Sequence, residues 1–93
     1  MHNLYHSIPT GENIPEEINV IIEIPEGSNM KYEYDHDLGV LKLDRVNYAP
    51  MPFPVNYGFV PQCWNSDDHD PADALVIASY PIAPLVLVPC KVI

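Results

Sequence analysis

The sequence predicts a small, mainly β domain, and three observations carry that expectation. Eleven prolines in 93 residues disfavour long helices. No window holds a sustained helical period, whereas short runs rich in Val, Ile and Tyr recur between turn residues. Strands of that length at turn-punctuated spacing suggest a β-barrel or a sandwich. The length suits one domain, residues 1–93, and not two.

The first 17 residues, MHNLYHSIPTGENIPEE, read as an extended arm punctuated by Pro9, Gly11 and Pro15, with the barrel strands expected over 18–93. INVIIEIP is a β-branched run closed by Pro25. MKYEYD alternates, with Met30, Tyr32 and Tyr34 on one face and Lys31, Glu33 and Asp35 on the other. HDLG then turns the chain into VLKLDRV, so 30–46 reads as a hairpin with a loop of about four or five residues. Pro50, Met51, Pro52, Phe53 and Pro54 form an extended segment. NYGFV reads as a short strand, ALVIASY as a buried one, and LVLVPCKVI as another, bent or at a sheet edge at Pro89. This last run stops without a terminating turn, the pattern of a domain cut short.

Thirteen acids against four bases give a net charge of −9. That balance argues against nucleic-acid and anionic-membrane partners and favours metal cations. No run approaches the roughly 18 apolar residues of a membrane span, and the N-terminus lacks the basic and apolar regions of a signal peptide. Cys63 and Cys90 are too few for a disulfide framework, so a cytoplasmic protein with ordinary thiols is expected. The terminal CKVI has the form of a prenylation box, but no polybasic segment precedes it and it reads better as strand.

Chemistry concentrates in DDHDPADALV, residues 67–76. In extended chain Asp68 and Asp70 share a face. Pro71 favours a turn that brings Asp73 back towards them. Converging carboxylates repel unless a divalent cation joins them, and oxygen-only ligands suit Mg²⁺ or Mn²⁺. The segment is no EF-hand, because it has no glycine and Ser79 stands where the bidentate Glu belongs. A solvated acidic loop is the other reading. His69 inside the cluster is less suited to a hard cation than the carboxylates are.

A second constellation joins Glu23, which breaks the apolar run VIIEIP, to Lys31 and Glu33 on one strand and Arg45 on the next. Lys31 and Arg45 on paired strands suit an anion such as phosphate. An ordinary cross-strand ion pair, worth about 0.2–1 kcal/mol, is equally compatible. Tyr57 beside Gly58 can present a phenol to a metal-bound or phosphate oxygen, or pack half-buried. There is no glycine-rich phosphate loop, GxSxG, CxxC or HExxH.

Together IPEEINVIIEIPEGSNMKYEYD, LDRV, FPVNYGFVP, DHDPADALV and SYPIAPLVLVPC resemble the soluble, Mg-dependent inorganic pyrophosphatases, in that family's order and spacing. The resemblance implies an OB-like β-barrel, incomplete at its C-terminus, that hydrolyses pyrophosphate with Mg²⁺, or with Mn²⁺. It implies metal ligation by Asp68, Asp70, Asp73 and Glu23, with Asp73 bridging two metals. Asp70 is the implied base for the attacking water, and Tyr57 lies near that water. Lys31 and Arg45 are the implied phosphate ligands, and Glu33 supports the substrate shell. A cytoplasmic homo-oligomer, a hexamer, is implied as well.

Two positions depart from the family pattern. His69 replaces a glycine or small polar residue, and Phe53 a tyrosine of many bacterial members. The family continues beyond Ile93 with further metal and phosphate ligands, closing strands and C-terminal helices. Hydrolysis is therefore expected of a longer chain and little or none of 93 residues alone. The alternative is an inactive fragment that binds divalent metal or pyrophosphate, or only self-assembles.

Overall fold

In the computed structural model, residues 8–46, 52–65 and 70–93 are described. They form six strands and no helix: β1 (Glu17–Ile24), β2 (Met30–Asp35), β3 (Val40–Val46), β4 (Asn56–Asn65), β5 (Asp70–Val76) and β6 (Leu87–Lys91). Four of them make one sheet in the order β5-β4-β1-β6, and β2 and β3 form a separate hairpin.

β1 is paired antiparallel on both sides, with β4 and with β6. Its β-branched run suits that central place, because both of its faces are covered. Val20 through Ile24 are all buried. Ile21 packs with Tyr34 and Phe59 against the hairpin side, joined by Leu41 and by Ile8 of the arm. Tyr34 and Phe59 stack there with ring centroids 5.0 Å apart. Val20 and Ile22 point the other way, to Val60 and Val76.

The hairpin forms as expected, with residues 36–39 as its turn. Asp35 Oδ1 accepts the Asp37 and Leu38 N–H groups, which closes that turn. The alternation in β2 is interrupted, because Lys31 pairs with Arg45 while Tyr32 pairs with Leu43. Asp44 is the extra residue of this bulge.

Three other expectations need correction. β4 is ten residues long, not a short NYGFV strand. It passes Pro61 by an irregularity at which Phe59 pairs with Asp73 and Trp64 with Pro71, and Gln62 takes φ 56°. A proline without an N–H is accommodated where the ladder is already interrupted. β5 begins at Asp70 and ends at Val76, so Pro71 lies inside a strand instead of starting a turn, and Ala78 to Tyr80 fall outside it. β5 is a sheet edge, where a residue without an N–H donor is tolerated. Nor is ALVIASY wholly buried: Leu75 and Ile77 are 68% and 76% exposed. β6 is the opposite edge and carries Pro89, as expected for that residue.

The arm is anchored at residues 8–10. Asn19 N–H donates to the Thr10 carbonyl at 2.7 Å and its Nδ2 to the Pro9 carbonyl at 3.0 Å. Thr10 Oγ1 donates to the Pro61 carbonyl at 2.8 Å, and Gln62 Nε2 to the Ile8 carbonyl at 2.6 Å. Opposite the hairpin, the two edges β5 and β6 flank an apolar groove of about 650 Å³, with Ile18, Val20 and Val88 among its lining.

Candidate functional site

One polar cavity of about 220 Å³ collects Glu23, Lys31, Tyr32, Glu33, Tyr34, Tyr57, Phe59 and Asp73. Residues from β1, β2, β4 and β5 meet there for identifiable local reasons. Glu23 sits at a bulge: Ile22 pairs with Gly58 and Ile24 with Tyr57, which leaves Glu23 without a partner on β4. A bulge re-aims a side chain, and this one turns a carboxylate into the space between sheet and hairpin. There Glu23 Oε2 accepts the Tyr34 backbone N–H at 2.7 Å.

The Glu23 residue is only 5% exposed. Burial pushes its carboxyl up to about 7, and the charges of Asp73 and Glu33 push the same way. The Tyr34 N–H and the Lys31 ammonium act against that rise. An acid so poised is half ionised near neutral pH and gains from any cation brought beside it.

Tyr57 and Asp73 are joined across the β4–β5 ladder, where Tyr57 pairs with Leu75 and Phe59 with Asp73. The Tyr57 hydroxyl is hydrogen bonded to the Asp73 carboxylate. Burial and that bond, with the Asp73, Glu23 and Glu33 charges, raise the phenol well above its ordinary range. The phenol is thus a hydrogen-bond donor and not a base at neutral pH. Gly58, next in the chain, is needed for close approach. A Cβ there would run into the Ile21 carbonyl and crowd a Val20 methyl.

Lys31 reaches the cavity while making an ion pair of 3.5 Å with Asp44, the bulge residue of β3. Glu33 pairs in register with Lys42, and Lys42 makes its own 3.5 Å ion pair with Asp35. Arg45 is placed by its backbone opposite Lys31, as the paired-strand reading required. Asp70 is placed by its backbone as the first residue of β5, opposite Asn65. Asp68 and His69 lie outside the described residues. Of the residues expected in the site, the structure therefore brings Glu23, Lys31, Glu33, Tyr57 and Asp73 together.

Among the described residues, no group of three His, Cys, Asp or Glu side chains is arranged to hold a metal ion. The donor chemistry still fits a hard cation. Glu23 and Asp73 border one cavity, all their donor atoms are oxygens, and their charges oppose each other.

Sequence reasoning missed Asn56, which is 1% exposed at the start of β4. Its Oδ1 accepts the Glu26 and Ile82 N–H groups, both at 2.9 Å, and its Nδ2 donates to the Tyr80 carbonyl at 3.3 Å. A polar residue directly before Tyr57-Gly58 was the available signal. It also missed the hydrogen bond from the Tyr34 backbone, which no pattern of side chains reveals.

The sequence model of the family described as "Pyrophosphatase: Inorganic pyrophosphatase" matches residues 20–93. The inorganic pyrophosphatase of Aquifex pyrophilus is 49% identical over 87 residues, which is 94% of this chain and 49% of that protein. That of Sulfolobus acidocaldarius is 53% identical over 74 residues, covering 80% of this chain and 42% of its own length. The crystal structure of inorganic pyrophosphatase from Thermus thermophilus superimposes with a TM-score of 0.91 at 45% identity, over 98% of this chain and 51% of that one. The chain spans about half the length of these relatives, and its mainly β architecture is the OB-like one of the soluble pyrophosphatases. By sequence and by fold, the chain belongs to the inorganic pyrophosphatase family.

Proposed function

We propose that this chain carries one wall of a divalent-metal site for hydrolysis of pyrophosphate to two phosphates. The observation that carries the reading is the convergence of Glu23, Lys31, Glu33, Tyr57 and Asp73 on a single cavity. The relatives' names, inorganic pyrophosphatase, point to the same substrate.

Glu23, Asp68, Asp70 and Asp73 would hold Mg²⁺ or Mn²⁺. A bound divalent cation supplies charge neutralisation and makes water more acidic. Asp70 takes the proton from the attacking water. The Tyr57 phenol stays protonated and fixes the orientation of the Asp73 carboxylate. Lys31, with Arg45 beside it in register, balances the negative charge of the phosphates, which a chain of net charge −9 otherwise repels. Glu33 borders the same cavity and supports the substrate shell. Water attacks phosphorus directly, so no covalent intermediate forms on the protein. The setting is the cytoplasm, and the assembled form is a homo-oligomer, a hexamer.

Phosphate release from pyrophosphate with Mg²⁺, compared between wild type and Asp70→Asn, tests the reading. Release should fall by at least about a hundredfold, in line with loss of a general base. Release unaffected by the substitution would remove Asp70 from that role. A second reading rests on the chain's spanning about half of its relatives: a fragment that binds divalent metal or pyrophosphate without turnover. It predicts saturable Mn²⁺ binding by calorimetry with no phosphate release.

A further inference from the structure

The three strands that supply Glu23, Tyr57 and Asp73 are tied together at one end by a single buried side chain. β1 supplies Glu23, β4 supplies Tyr57 and β5 supplies Asp73. Asn56 is the first residue of β4 and pairs in register with Val76, the last residue of β5. Next to it, Tyr57 pairs with Ile24, the last residue of β1. Asn56 thus stands where both ladders of β4 end.

Its hydrogen bonds prolong both ladders. The Glu26 N–H donated to Oδ1 comes from the chain just beyond β1, three residues after Glu23. The Ile82 N–H donated to the same oxygen and the Tyr80 carbonyl accepting from Nδ2 lie in the chain beyond β5. The 25–28 turn has one further tie, reciprocal backbone bonds in which Gly27 N–H donates to Phe53 and Phe53 N–H to Ser28. Among the described residues, backbone bonds tie the segment beyond β5 to β1 itself, Leu85 N–H donating to Ile22 and Ile22 N–H to Val86, while the shared Asn56 oxygen ties it to the segment beyond β1.

We propose that Asn56 is a positioning residue of the candidate site, setting the Glu23 bulge against the Tyr57–Asp73 pair. This rests on the reading of the cavity as a metal and phosphate site. The Glu23 carboxylate leaves β1 at a bulge, where the ladder no longer fixes its position. With the bond from Glu26 in place, the bulge is held from its far side as well. Both sides of the cavity are then referred to one buried amide. Removing that amide leaves two part-buried N–H groups without their acceptor, and the chain beyond β1 and β5 shifts to regain partners.

The test compares wild type, Asn56→Ala and a control, Val76→Ala, which loosens the core without touching these hydrogen bonds. One readout is the set of amide shifts by NMR in metal-free buffer. The other is Mn²⁺ affinity by calorimetry on the folded fraction. In Asn56→Ala the Tyr34 amide, which donates to Glu23, and the Gly58 amide should shift. Mn²⁺ affinity should fall by about tenfold, while Val76→Ala keeps both.

Should Asn56→Ala not fold, Asn56→Ser, whose hydroxyl retains an accepting oxygen, carries the same readouts. Unfolding of both overturns the proposal and makes Asn56 a residue of the fold alone. Changes confined to residues 26 and 80–82, with Tyr34 and Gly58 unmoved, overturn it too. Absence of Mn²⁺ binding in wild type would refute the metal reading, and the amide shifts then decide the role of Asn56 independently.

Discussion

Replacing Glu23 by Gln should remove a specific slope from the stability of the chain between about pH 4.5 and 7. The folded carboxyl titrates near 7 because burial penalises its charge, whereas the unfolded one titrates near 4.5. Between these values the folded state holds a proton that the unfolded state has released. Stability from this group is therefore fully present below 4.5 and is lost as pH rises through 7. At 1.36 kcal/mol per pKa unit, the rise corresponds to a ceiling of about 3 kcal/mol.

Gln keeps an oxygen for the Tyr34 N–H and carries no charge, so Glu23→Gln should be near-neutral at about pH 4.5 and stabilising by about 2–3 kcal/mol at about pH 8. Urea unfolding in metal-free buffer at several pH values measures this directly. The difference between the two proteins cancels the titration of groups they share. Adding Mn²⁺ at high pH should restore stability to wild type more than to the variant. Parallel curves across the whole range would refute the reasoning, showing that Glu23 is not held in a desolvated place.

Gly58→Ala should cost about 2–3 kcal/mol, because a methyl group there meets the fixed Ile21 carbonyl and not a movable side-chain tip. A urea midpoint within error of wild type would show that β1 and β4 can separate cheaply. The groove between the β5 and β6 edges should enhance the fluorescence of the dye ANS, and Ile77→Lys with Val92→Lys should abolish most of that signal. An undiminished signal in the double variant would place the bound dye on another surface.

Much of the fold was legible because alternation and turn chemistry are local. INVIIEIP, MKYEYD and VLKLDRV each announce a strand through β-branched or alternating residues, and HDLG marks the turn that joins two of them. Pro89 correctly signalled a sheet edge. The errors fell at β4, expected as the short strand NYGFV, and at β5, where Pro71 was expected to turn the chain. Proline forbids a hydrogen bond, not a strand, and Pro61 and Pro71 both sit where the ladder is irregular or unpaired. In the site, Lys31 opposite Arg45 followed from the hairpin itself. The bulges at Glu23 and Asp44 did not, because an extra residue is defined only by the strand across from it.

The β character, the acidic charge and the set of groups proposed for metal and phosphate are properties of the sequence. Residue type and spacing along the chain carry those properties. Which of the groups share a cavity, and in what protonation state, depends on how the chain folds. Glu23 becomes an acid poised near neutrality through burial between sheet and hairpin. Tyr57 becomes a fixed donor through pairing with the strand that bears Asp73. Both outcomes depend on desolvation and on contacts between segments distant in sequence, and neither is encoded in any local pattern.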